Sequence, residues 1–378
     1  MHILARNKAN LAKMYTNLRG WRTKRKLLVM DSDDWGALRI PGTIAYRKLR
    51  EAGLRLDLSP YDCLDCLERR DDFDALMNEI DSHRDASGRP ATFTFNTVMG
   101  NPDFDAIERS GFKNYHHQHF FDSYRNYHGQ DMERDWRAAI DAGLIRPQFH
   151  AREHLNVPLW MADLQANHHE TRVSFSHRFY AHNTRTGSPR QKNYLCAYWS
   201  ETPESFEKIE RIVEDGLRKF NDTFGFRSVS FVGCNYVWPE ALERHLAQNG
   251  VKGLQTQRAR HQPSPESPEA TQVRRHYTGQ KNRHGQYYTV RNVVFEPYLN
   301  TDTDWAARAL SDVAQSFRCY KPAVVCSHRI NYVGGMNMAH RSRSLKQLSE
   351  FLGGILQRWP DVEFTTSDEL LNIMQAES

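Results

Sequence analysis

Several signals that would place a chain in a specialised class are missing here. No stretch approaches the roughly 20 apolar residues of a membrane-crossing helix. The opening segment, MHILARNKANLAKMYTNLRGWRTKRKLLVMD, has neither a secretory apolar core of roughly 7–15 residues nor a small-residue cleavage site. A membrane span and a secretory leader are therefore not expected, and the cytoplasm is the expected location. The six cysteines (Cys63, Cys66, Cys196, Cys234, Cys319 and Cys326) are scattered, which excludes a disulfide scaffold and suits a reducing compartment. Cys63 and Cys66 form a lone C-x-x-C with no second pair at zinc-finger spacing, so they read as structural. No phosphate-binding glycine loop follows an expected strand, which argues against a nucleotide site. The 51 Lys and Arg against 46 Asp and Glu leave a net charge of only +5, spread along the chain, and no nucleic-acid partner is expected. No internal repeat is visible.

What remains is an ordinary globular composition, 39% hydrophobic over 378 residues, with apolar runs that alternate in period. KLLVM at 26–30 reads as a buried parallel strand opening into acids. Further strands are expected at 91–99, 144–149, 172–179, 194–199, 228–232, 251–257, 287–295, 323–326 and 362–365. Helices are expected at 43–53, 61–69, 72–84, 130–142, 157–167, 203–222, 239–248, 303–317 and 338–358. Repeated βα units imply an α/β fold whose parallel strands form a closed or nearly closed barrel. Residues 1–25 read as a basic helical segment, through Lys8, Lys13, Arg19, Arg22, Lys24 and Arg25. It is either a solvated face or a peripheral contact with an anionic surface. Residues 26–378 form the main domain, with 258–286 as an inserted loop or hairpin near the substrate face.

In such a barrel, chemistry sits at the carboxyl ends of strands. Asp31-Ser32-Asp33-Asp34-Trp35-Gly36 follows the first strand, and carboxylates so crowded need a cation or an arginine, unless they simply cap the next helix. His150 and His154, at i and i+4 past a later strand, could share an ion, although 18 histidines make a chance pair possible. Together Asp34, His150 and His154 would be a three-ligand metal site open to water and substrate. Asp33 is then the candidate general base. His328, past the strand at 323–326, is either structural or the general acid.

These residues resemble the polysaccharide deacetylases, the NodB-homology group of carbohydrate esterase family 4, in a divergent branch whose first motif is D-D-W-G. Asp33-Asp34-Trp35-Gly36 looks like that motif, and His150 with His154 looks like the second, H-x-x-x-H. Asn235-Tyr236-Val237-Trp238-Pro239 stands where the third motif carries an arginine; that arginine is missing, and Arg152, Arg39 and Arg329 are the candidates to replace it beside Asp33. Asp302-Thr303-Asp304-Trp305 resembles the fourth motif, whose Asp orients the catalytic histidine, or else it caps a helix. Ser327-His328 resembles the fifth. The resemblance implies a distorted (β/α)7 barrel and removal of acetyl from an N-acetylated sugar or glycan precursor. It also implies one divalent ion, zinc first, with cobalt, nickel or manganese as substitutes. Trp35, Asn235, Tyr236 and Trp238 would line the substrate site, with a backbone N–H near Trp238 for the oxyanion. Trp35, Tyr236 and Trp238 could equally be core packing. Two other readings stay open: amide, imide or glycoside hydrolysis on the same barrel, and a non-catalytic binder of glycans or polyanions using Arg258, Arg260, Arg274, Arg275, Lys281, Arg283 and Arg291.

Overall fold

A computed structural model describes residues 17–181, 194–200, 202–264 and 267–377. Apart from Lys26, the first apolar run and the acids after it have no solvated face, and they become the central strand β1 (Lys26–Trp35), buried from Leu27 onward. Eight further strands join it in one sheet: β2 (Phe93–Val98), β3 (Ile145–Ala151), β4 (Ser230–Val232), β5 (Gly253–Thr256), β6 (Tyr287–Val290), β7 (Val293–Val294), β8 (Ala323–His328) and β9 (Val362–Thr365). Every pairing within it is parallel.

The order is β6-β5-β4-β3-β2-β1-β8-β7, with β9 added to β1. The two ends of that list belong to one stretch of chain. β6 pairs with β5, while β7, two residues further on, pairs with β8. At the crossover the Arg291 N–H bonds Thr256 O and the Asn292 N–H bonds Val324 O. The sheet thus closes on itself. Counting 287–294 as one strand and setting aside β9, which touches only the foot of β1, the 9-stranded sheet has seven positions round a ring. This is the distorted (β/α)7 barrel. Its distortion is plain at β3 and β4, which share a single register pair, Phe149 with Phe231.

Parallel neighbours need long crossovers, and helices supply most of them. Pro203–Phe224 begins with a Thr202–Ser205 capping box and stops at Gly225, whose left-handed φ of 74° suits a residue without Cβ. The β5-to-β6 connection departs from this rule. In place of a helix, an antiparallel hairpin (Ala259–Ser264 with Ser267–Arg275) occupies much of the expected 258–286 insertion.

Two expected strands are absent. The segment 172–179 lies largely in a helix, His169–Ser176, whose buried Thr171, Ser174 and Phe175 recur at helical spacing. Residues 194–199 form turns, because the Asn156 side chain takes the carbonyls of Cys196 and Trp199 that a ladder would have used. Of the basic N-terminal segment, residues 1–16 lie outside the described residues. Its remainder is tied to the barrel through Lys321 Nζ, which donates to the carbonyls of Arg19 and Trp21. All six cysteines are free, and among the described residues no helix is long and apolar enough to cross a membrane.

Candidate active site

The carboxyl ends of β1, β3, β4 and β8 open onto one cleft of about 570 Å³, lined among others by Asp33, Asp34, His150, His154, Tyr236 and His328. Asp34 takes a left-handed φ of 75°, unusual for a residue with a Cβ. Its loop is pinned from outside: Glu68 accepts from the Gly36 N–H, and Asn101 bonds both Leu38 N and Gly36 O. Strain held by such neighbours is a mark of a functional position.

Asp34 Oδ1 lies 3.5 Å from His150 Nε2 and 3.4 Å from His154 Nε2. It is buried and accepts no hydrogen bond. Nδ1 of His150 bonds the Val232 carbonyl at 2.8 Å and so carries a proton. In the neutral ring Nε2 is then a lone pair facing a carboxylate oxygen, and two acceptors facing each other require a cation between them or a second proton. Without an ion, burial disfavours the His150 cation, but Cys234 and Asp34 raise its pKa well above the ordinary value; burial and Arg39 push His154 well below it. A divalent ion resolves the conflict differently. Ligand bonds of about 2.0–2.2 Å in a tetrahedron set ligand–ligand edges of about 3.3–3.6 Å, and both observed separations fall there.

The surrounding charges agree. Ion pairs link Asp31, Asp33 and Glu296 with Arg291 and His328, and Asp34, Asp65 and Glu68 with Arg39 and Arg329. With His328 protonated, His150 neutral and all six carboxylates ionised, formal charges in this network sum to minus two. A divalent cation would cancel them, and it would offset the burial that raises the pKa of Asp31, to about 6, and of Asp65. Asp34, His150 and His154 therefore fit such an ion.

Asp33 is held by two groups that sequence reasoning did not connect to it. Arg291 grips the carboxylate with both ends of its fork, Nη1 to Oδ2 at 2.6 Å and Nη2 to Oδ1 at 2.7 Å, and Asn96 Nδ2 donates to Oδ1 at 2.7 Å. Burial alone would favour the neutral acid; Arg291 outweighs it and keeps the pKa below the usual carboxylate range. Asp33 is thus ionised at neutral pH, and correspondingly a weak base. His328 faces it, Nε2 to Oδ2 at 3.6 Å. Behind it Nδ1 bonds Glu296 Oε1 at 2.5 Å, while Asn331 donates to the other oxygen of Glu296. Burial opposes a charged ring here, but the Glu296 carboxylate lifts the His328 pKa to about 9.

The structure corrects several expectations. None of the three candidate arginines reaches Asp33: Arg152 pairs with Glu153 and Asp215, Arg39 with Asp34 and Asp65, and Arg329 with Asp65 and Glu68. Arg291, expected on a polyanion surface, is buried and bound to Asp33. Asp302 is exposed in a turn and Asp304 caps the helix Trp305–Arg318 by accepting from the Ala307 N–H; the partner of His328 is Glu296. Trp35 stacks on Phe95 with ring centres 3.7 Å apart, and Trp238 donates its indole N–H to buried Glu243. Both belong to the core and neither lines the cleft. Asn235 and Tyr236 do line it, each at φ 55°. The Trp238 N–H is taken by the His261 carbonyl, so it is not free for an oxyanion. On the cleft wall stand Tyr61 and Tyr298, hydroxyls 3.2 Å apart, which sequence reasoning missed.

Arg291 and Glu296 were reachable by one signal, position just past a strand end. Reading 287–295 as a single strand hid it, because the run changes partners at Arg291 and Asn292.

No family model and no curated protein matches this sequence. Among solved structures, the chain is similar to a Mycobacterium smegmatis protein described as a polysaccharide deacetylase, at 10% identity, TM-score 0.44, covering 95% of this chain and 93% of the other. It is similar to an allantoinase at 10% identity, TM-score 0.45, covering 94% and 92%. An α-amylase from Thermotoga maritima gives 10% identity, TM-score 0.42, covering 93% and 75%.

Proposed function

We propose that this chain is a metal-dependent hydrolase that removes an acetyl group from an N-acetylated sugar or glycan precursor. The observation that carries the reading is one cleft in which Asp34 Oδ1 stands at tetrahedral-edge spacing from both His150 and His154, beside an ionised Asp33 and a His328 poised to give a proton. A divalent cation bound there would supply Lewis-acid polarisation and acidify water, which compensates for the weak basicity of Asp33. Zinc is the first choice for two imidazoles and a carboxylate, with cobalt, nickel or manganese as substitutes.

Asp33 accepts the proton of the attacking water and stays oriented by Arg291. His328 delivers its Nε2 proton to the departing amine, and Glu296 stabilises the imidazolium beforehand. Tyr61 and Tyr298 meet at an interplanar angle of 64°, with ring centres 5.1 Å apart, and offer an aromatic face for a sugar ring. Free cysteines throughout are compatible with a substrate met in a reducing compartment such as the cytoplasm.

Glycoside cleavage would need a protonated carboxyl as donor. Here the donor is an imidazole and Asp33 is held ionised, which favours amide chemistry. The test is acetate release from an N-acetylglucosamine oligomer by chelator-stripped protein, with and without added zinc. Zinc-dependent release lost in Asp34→Ala supports the assignment; release undiminished in that variant removes it. Cleavage of a cyclic imide with no acetate release would move the reading to the related amide hydrolases.

A further inference from the structure

We propose that Cys234 is a fourth protein ligand of the same ion, so that this chain meets its cation with a thiolate besides Asp34, His150 and His154. The inference rests on the metal-site reading above and adds a ligand that the resemblance does not supply.

Cys234 leaves the end of β4 two residues after Val232, whose carbonyl fixes the far nitrogen of His150. One strand end therefore positions the imidazole from behind and brings a sulfur to its free side. Cys234 Sγ lies 4.0 Å from His150 Nε2, and donor atoms of His150, His154 and Cys234 all fall within 4.8 Å of one another, all three side chains buried. Metal–sulfur and metal–nitrogen bonds of about 2.3 and 2.0–2.1 Å set a tetrahedral S···N edge of about 3.5 Å. Along the edge to His150 the sulfur has about half an ångström to close, and toward His154 at most about 1.3 Å.

A second observation points to the same ligand. Asp34 Oδ1, which faces both imidazoles, is buried without a hydrogen-bond partner, its one cationic neighbour being Arg39 Nη2 at 3.3 Å. The segment carrying the cysteine is also held in an unfavourable conformation, with Asn235 and Tyr236 both at φ 55° though neither is glycine. Such strain persists where the surroundings impose it, as at ligand clamps.

The other thiol with an imidazole neighbour behaves differently. Cys326, Glu296 and His328 also cluster within 4.8 Å, but there the Nδ1 proton of His328 fills the gap to Glu296, and Cys326 bonds the same carboxylate. That trio is satisfied without an ion.

Ligation breaks the Cys234 S–H bond, forms one sulfur–metal bond and releases the proton to solvent, with no change of oxidation state. Thiolate softens the ligand set and biases it toward zinc and cobalt over manganese or magnesium. It also leaves room for water only by expansion to five ligands or by departure of the sulfur.

The test uses the full chain, stripped with chelator and reloaded with cobalt(II), and reads the near-ultraviolet thiolate-to-cobalt charge-transfer band. X-ray absorption on the zinc-loaded protein is the companion measurement. The expected result is a charge-transfer band and one sulfur at about 2.3 Å, both lost in Cys234→Ser and kept in Cys326→Ser. Cobalt bound with its visible ligand-field bands but no charge-transfer band overturns the fourth ligand and leaves the three-ligand site standing. No cobalt uptake by the wild-type chain overturns both. Because the wild-type spectrum decides the question, a poorly folded Cys234→Ser protein does not rescue the proposal.

Discussion

Replacing Glu296 by Gln removes the charge behind His328 while keeping an oxygen that can accept from Nδ1. In the wild-type cleft the ring titrates at about 9, against an ordinary value near 6.5, a difference of about 2.5 units or roughly 3 kcal/mol. Asp33, 3.6 Å away, supplies part of the stabilisation. Removing Glu296 should therefore lower the pKa by about 1–2 units, not all the way. At pH 7.5 the protonated ring outnumbers the neutral one by about 30 to 1 in the wild type, and the ratio should approach unity in the variant.

The sign of the linkage follows from the raised pKa. The contribution of His328 to stability is complete below its unfolded value near 6.5 and is lost as pH rises through about 9. Wild-type protein should lose stability over that window, and Glu296→Gln less. The assay is a nitrogen-15 titration of the imidazoles in chelator-treated protein, with His328→Asn to assign the resonance, alongside urea unfolding at pH 6.5 and 9. A His328 pKa unmoved by more than about half a unit would refute the assignment of Glu296 as its electrostatic partner.

Arg291→Gln leaves Asp31 and Asp33 buried beside no guanidinium and should cost about 3–5 kcal/mol in urea unfolding. Because Arg291 depresses the Asp33 pKa, the wild type should lose stability as pH falls toward that value, and the variant should lose less; equal acid sensitivity would exclude the clamp. Asp34→Ala should weaken zinc binding by about tenfold or more, read by elemental analysis after dialysis against graded chelator. Tyr61→Ala and Tyr298→Ala should each raise KM about 3–10-fold with kcat nearly kept, as loss of a stacking face predicts. An equal fall in kcat would place them in the chemistry instead. Asp304→Ala should cost about 1 kcal/mol of thermal stability as a lost helix cap, and Asp302→Ala almost nothing; a large loss of activity in Asp302→Ala would restore it as the partner of His328.

How much was legible depends on the range of the interactions involved. Apolar runs ending in acids or histidines are local facts, and in a parallel barrel every strand delivers its carboxyl end to the same face. That was enough to read the α/β barrel from the sequence and to select Asp33, Asp34, His150, His154 and His328, which the fold gathers in one cleft. Where side chains competed for the backbone, local pattern misled, as at 194–199, whose carbonyls Asn156 takes.

Facing was a second limit. Trp35 follows Asp34 directly, yet the register shift between Ser32 and Trp35 and the left-handed turn at Asp34 send the tryptophan into the core while the carboxylate stays in the cleft. Alternation along a regular strand cannot anticipate such a break.

The sequence by itself determined most strands of the barrel, their polar ends and the residue types able to hold a cation, because these follow from local periodicity and chemistry. Only the tertiary structure decided which charges serve those residues. Arg291 meets Asp33 across 258 positions and Glu296 meets His328 across 32, and Tyr61 and Tyr298 reach the cleft from short helical segments, Pro60–Leu64 and Pro297–Leu299, with no pattern of their own. Burial is the physical reason. A carboxylate taken out of water must find its counter-charge wherever the closed ring happens to bring one, and that meeting is a property of the fold, not of any segment.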